Sequence, residues 1–97
     1  MGHFAVIRER GPAWVPDRPM REQAGWDEHA AFMEALAADG FVELGGPVGD
    51  AGERILLVIC AASRREVERR LDLDPWSPAG MLRVVSVERY DVRLRHR

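Results

Sequence analysis

The spacing of polar and apolar positions changes period several times along this chain, and each change marks an element. Residues 3–10 alternate, with Phe4 and Val6 on one face and Ala5 and Ile7 on the other before charge takes over at Arg8, Glu9 and Arg10; this is a first strand. Gly11 and Pro12 stop it. Residues 11–25 hold Pro12, Pro16 and Pro19 between Gly11 and Gly25, so no helix or strand interior runs through them. Connections this long in small domains are usually covers or linkers, and Trp14, Val15 and Met20 favour a cover. The period then becomes helical over residues 27–38: His29, Phe32, Met33 and Leu36 share one stripe while Glu28 and Glu34 fall to the other side. Asp27 is placed to cap this helix and Gly40 to end it. A short strand over residues 41–44 leads into a glycine-rich turn over residues 45–52.

Residues 55–61 are apolar on both faces, which makes them a central strand that needs two covers. Ser63 and Glu66 fit a capping box, and the helix behind them runs to about Leu71 with Val67 and Leu71 inward. Glu66 and Arg70 have the spacing of an exposed ion pair. Pro75 breaks the chain after this helix, and a last strand covers residues 81–94 with an irregularity near Glu88. The order strand, helix, strand, strand, helix, strand is the ferredoxin-like α+β pattern, a four-stranded antiparallel sheet with both helices on one face, in a single domain spanning residues 1–97. A central strand apolar on both sides leaves the other face uncovered, so a homodimer through the open sheet face is expected.

Composition narrows the function. The charged fraction of 31% and the apolar fraction of 46% are those of an ordinary soluble domain. No apolar run is long enough for a membrane span and no signal-peptide pattern opens the chain, which leads to the expectation of a cytoplasmic protein with no membrane partner. All fourteen basic residues are arginine, so lysine Schiff-base chemistry is excluded, and the glycine-rich turn lacks the spacing of a dinucleotide or phosphate loop. No cofactor is expected. A net charge of −2 and the absence of aromatics from residues 55–61 argue against nucleic acid. The lone Cys60 rules out an intrachain disulfide and reads as an inert thiol; His3, His29 and His96 are scattered without ligand spacing, so no metal is expected.

Trp26-Asp27-Glu28-His29 at the helix start, the Gly45-Gly46-Pro47 turn and Asp74-Pro75-Trp76 after the second helix occur in an order and at intervals that resemble the YciI-like (YCII-related) family of small bacterial proteins. The proline-rich approach from Arg18 to Gln23 is similar to one branch of that family. The resemblance covers nearly the whole chain. It implies a ferredoxin-like dimeric α/β barrel with a histidine and an aspartate near a cleft as a catalytic pair, carried here by His29 and Asp74.

Imidazole suits such work because it exchanges a proton near neutral pH and a neighbouring carboxylate fixes its tautomer. The expected activity is acid/base chemistry on a small cyclic or carbonyl-containing molecule, of isomerase, lyase or dehydrohalogenase type. Trp14, Trp26 and Trp76 are candidate walls of an apolar pocket, and Arg8 and Arg83 candidate anion-binding groups. Each has a plainer reading: a half-buried histidine, an aspartate that organises its turn, tryptophans at the core edge, arginines on a solvated rim. The alternative function is a non-enzymatic dimeric module that holds a ligand without turning it over.

Overall fold

The computed structural model describes residues 1–96. Its elements are β1 (Gly2–Arg10), α1 (Trp26–Ala38), β2 (Val42–Val48), β3 (Arg54–Ala61), α2 (Arg64–Asp72) and β4 (Leu82–Tyr90), with a short 3-10 turn at Met20–Glu22. The strands form one antiparallel sheet in the order β2-β3-β1-β4, so the expected ferredoxin-like α+β fold is the observed one. One sheet face packs on the helices through Phe4, Val6, Ile55, Leu57, Ile59, Ala61 and Leu82, against Leu36 from α1 and Val67 and Leu71 from α2. The other face presents Ala5, Leu44, Leu56 and Val58, and the segment after β4 brings Val92 and Leu94 beside them around a shallow hollow.

Alternation continues further along β1 than the charges suggested. Arg8 follows Phe4 and Val6 onto the helix-facing side and is 1% exposed, because a buried acceptor waits for it there. Helix α1 begins one residue earlier than expected, and Gly25 rather than Asp27 occupies its cap. Gly25 sits at φ 78° in the left-handed region, and a Cβ there would stand 3.2 Å from the indole nitrogen of Trp76, so both backbone sign and space call for glycine. At the other end Gly40 takes φ 85°, the turn its position predicted.

The largest correction concerns β2. Its pairing runs through Gly45, Gly46 and Pro47, which oppose Leu57, Leu56 and Ile55, and the turn shrinks to the residues between Val48 and Arg54. As an edge strand β2 tolerates proline. A Cβ on Gly45 would fall 2.5 Å from the Leu57 side chain and 3.2 Å from the Leu56 carbonyl oxygen, so glycine is what lets the two strands close up. The last strand stops at Tyr90 rather than reaching residue 94. Its irregularity lies at Val85, the extra residue between the pairs Ile7–Ser86 and Arg8–Val84, rather than near Glu88.

Ser63 caps α2 by accepting the Glu66 amide at 3.1 Å, and the Glu66 carboxylate reaches back to the Ala62 amide at 2.7 Å. That use of Glu66 explains why the expected pair with Arg70 does not form. Arg70 instead bonds Asp39 at 2.7 Å and lies over the Phe41 ring.

Candidate functional site

Two chain segments distant in sequence meet at the start of α1. His29 lies in its first turn and points back toward the sheet. Asp74 lies just past α2, where its amide bonds the Leu71 carbonyl at 3.1 Å and its own carbonyl accepts the Ser77 amide at 2.9 Å, so the exit turn fixes the backbone before Pro75. The two side chains touch. Nδ1 of His29 stands 2.9 and 2.8 Å from the two carboxylate oxygens of Asp74.

Asp74 is fully buried and accepts three further-reaching controls on its charge. Arg8 donates to Oδ2 at 2.9 Å, the Trp76 amide donates to Oδ1 at 2.9 Å, and His29 shares both oxygens. Burial would raise the carboxyl, but the bonds from His29, the Trp76 amide and Arg8 outweigh it and hold the group below the ordinary carboxylate range. An ionised carboxylate only accepts, so Nδ1 carries a proton, and of the two neutral tautomers the one this contact selects has its lone pair at Nε2. Nε2 makes no hydrogen bond among the described residues and is not among the sealed, unpartnered polar atoms. His29 lines a cleft of about 270 Å³ together with Met20, Trp26, Met33, Gly46, Ile55 and Leu57.

The ring is held from its flat side as well. Trp76 stacks on it at 4.0 Å between centroids and 9° between planes, and the Trp76 indole nitrogen donates to the Ala24 carbonyl at 2.8 Å. Trp14 meets Trp76 edge-on at 5.7 Å, and Trp26 leans on both Trp76 and His29 at 5.8 Å. Behind Asp74, Arg8 also donates to Ser77 Oγ at 3.2 Å, and that hydroxyl donates to the Leu71 carbonyl at 2.8 Å. Each member of the chain Ser77, Arg8, Asp74, His29 is thus oriented by the one before it.

Of the residues singled out from sequence, His29, Asp74, Arg8, Trp14, Trp26 and Trp76 form one cluster. Their parts differ. Trp26 lines the cleft, whereas Trp76 backs the imidazole and Trp14 backs Trp76. Arg8 faces Asp74 rather than the cleft, and Arg83 lies apart on the exposed rim, paired with Glu9 at 3.3 Å. The loop 11–25 is braced from within by the Gln23 side chain, which joins the Val15 amide and the Val15 and Arg18 carbonyls at 2.8 to 3.0 Å. Met20, Met33 and the Gly45-Gly46-Pro47 run were not expected at the site. The helical stripe signals Met33, but the glycine run becomes visible as lining only once β2 is seen to pass through it.

No family model matches the chain, and no curated protein is similar to it. Among solved structures it is similar to 5-chloro-2-hydroxyhydroquinone dehydrochlorinase (TftG) from Burkholderia phenoliruptrix AC1100, in complex with 2,5-dihydroxybenzoquinone. The likeness covers 91% of this chain and 93% of that one at 24% identity, with a TM-score of 0.57. At this identity it is a likeness of fold.

Proposed function

We propose that this chain is a YciI-like homodimeric enzyme in which His29 acts as acid/base catalyst on a small cyclic hydroxy- or carbonyl-containing molecule. One observation carries the reading: an imidazole whose Nδ1 is held by a buried, ionised aspartate while the ring lines an apolar cleft with its Nε2 unbonded. In that arrangement Nε2 takes a proton from the ligand, and Asp74 stabilises the imidazolium that forms. The same Nε2–H then returns the proton to carbon in an isomerisation, or to solvent when a leaving group departs. In a dehydrohalogenation the electron pair of the broken O–H or C–H bond forms the new carbonyl or double bond, and halide leaves with the pair of the carbon–halogen bond. The dehydrochlorinase likeness supports testing that class first. A cleft of about 270 Å³ suits a single ring.

The open sheet face supports the dimer. Leu44, Val85 and Leu94 are largely exposed, and the hollow around Ala5, Leu56 and Val58 is apolar. Light scattering at micromolar concentration is expected to give twice the 10.9 kDa chain mass, and a monomer would overturn this part. The activity is tested with lactones, enols and halogenated phenols and hydroquinones, using wild type and His29→Ala. Turnover lost in the variant supports the acid/base assignment. Binding to the wild type without turnover of any of them overturns it in favour of a ligand-holding module.

A further inference from the structure

We infer that His3, Glu43 and Cys60 form a binding site for a divalent cation of the zinc type, on the sheet face opposite the helices. The three residues are far apart in sequence, which is why spacing gave no hint of a site. Sheet pairing joins them. His3 on β1 is the direct cross-strand partner of Cys60 on β3, so their side chains leave the sheet on the same side. Glu43 follows the helix-facing Val42 on β2 and so falls on the face that His3 and Cys60 share; the bulge, with Val42 opposite Ile59 and Leu44 opposite Val58, leaves Glu43 out of the pairing.

One ligand atom from each residue lies within 4.8 Å of the other two, and His3 Nε2 stands 2.7 Å from Glu43 Oε1. A tetrahedral ion with bonds of about 2.0 to 2.3 Å spaces its ligand atoms roughly 3.3 to 3.8 Å apart, so rotations of half-exposed side chains suffice to admit it. Imidazole, thiolate and carboxylate together favour zinc over magnesium or calcium, which prefer oxygen alone. Three protein ligands leave the fourth position free, and because Glu43 and Arg95 also line the hollow on the face proposed for the dimer, that position lies beside the seam of the proposed dimer.

Two further features fit. Arg95, beyond β4, donates to Glu43 Oε2 at 3.2 Å and leaves Oε1 toward His3, the outer-sphere support that ligating carboxylates usually have. Cys60 is a free thiol whose one hydrogen-bond contact among the described residues is the Met1 sulfur at 3.8 Å. On binding, the thiol gives its proton to the buffer as the metal–sulfur bond forms.

The test uses untagged, reduced, metal-stripped protein titrated with Zn²⁺ by calorimetry and with Co²⁺ by absorption. One ion per chain is expected, with the thiolate-to-cobalt charge-transfer band in the near ultraviolet. His3→Ala and Glu43→Gln should each weaken binding on the order of 100-fold, and Arg95→Gln by about 10-fold. Cys60→Ser should abolish the charge-transfer band, while His29→Ala should bind as wild type does. Circular dichroism separates loss of a ligand from loss of fold, and the variants at half-exposed His3 and exposed Arg95 keep the test valid should Cys60→Ser unfold. Substoichiometric binding, a cobalt spectrum without the thiolate band, or affinity indifferent to His3→Ala would each overturn the proposal.

Discussion

Two histidine–carboxylate pairs stand in this small domain at almost the same distance, 2.8 Å for His29–Asp74 and 2.7 Å for His3–Glu43, and they are physically unlike. The first has side chains 8% and 0% exposed, the second 27% and 27%. Asp74 is tied by an arginine, an amide and an imidazole, so each partner restricts the others. Glu43 is likewise held below the ordinary carboxylate range, chiefly by His3 with Arg95 beside it, but in water and under salt screening. Contact distance identifies a pair. Burial decides whether removing one partner disturbs the whole domain.

The sharpest way to break the contrast is Asp74→Ala, which leaves the buried Arg8 guanidinium without its counter-charge. We expect a loss of about 3 to 5 kcal/mol in urea unfolding, and a loss below about 1 kcal/mol would show that the network is not what holds this end together. Next comes His29→Gln, which keeps a polar side chain but no proton-exchanging ring. If the proposed activity is right, kcat for a substrate found in the panel falls by about 10² to 10⁴ with the far-ultraviolet spectrum unchanged. Equal turnover in variant and wild type removes His29 from the chemistry.

Acid separates the pairs in a third way. The folded-state pKa of Asp74 is depressed, so its stabilising contribution is complete above the ordinary carboxylate range of about 4 and is lost as pH falls through the lower folded value. Wild type should therefore lose its stability advantage over Asp74→Asn as pH drops below about 4, and a difference independent of pH would contradict the ionised state assigned here. Trp76→Phe keeps a ring behind His29 but removes the bond to the Ala24 carbonyl, for an expected loss of about 1 kcal/mol. The smallest effect belongs to Glu43→Gln in metal-free buffer: a slight shift in the unfolding midpoint that vanishes near 1 M salt, where screening reaches about 3 Å.

Much of this was legible in the chain. The helical stripe that carries His29, the capping serine and the doubly apolar β3 are local patterns, and together they fixed the order of elements and the antiparallel fold. What escaped was set by tertiary contact. Arg8 looked like the point where β1 turns to solvent, although its parity with Phe4 and Val6 already placed it inward, and only its meeting with Asp74 makes that position tenable. Gly45-Gly46-Pro47 has the composition of a turn, yet an edge strand squeezed against Leu57 has use for the same residues. The pairing of His29 with Asp74 came from the family resemblance, since no local rule spans the 45 residues between them.

The three tryptophans of this chain all gather around one imidazole, with Trp76 flat against it and the other two leaning on Trp76. Indole emission therefore comes from a single cluster. The domain carries a built-in optical gauge: with every indole in one cluster beside the cleft, a ligand that seats there announces itself in the emission without a label.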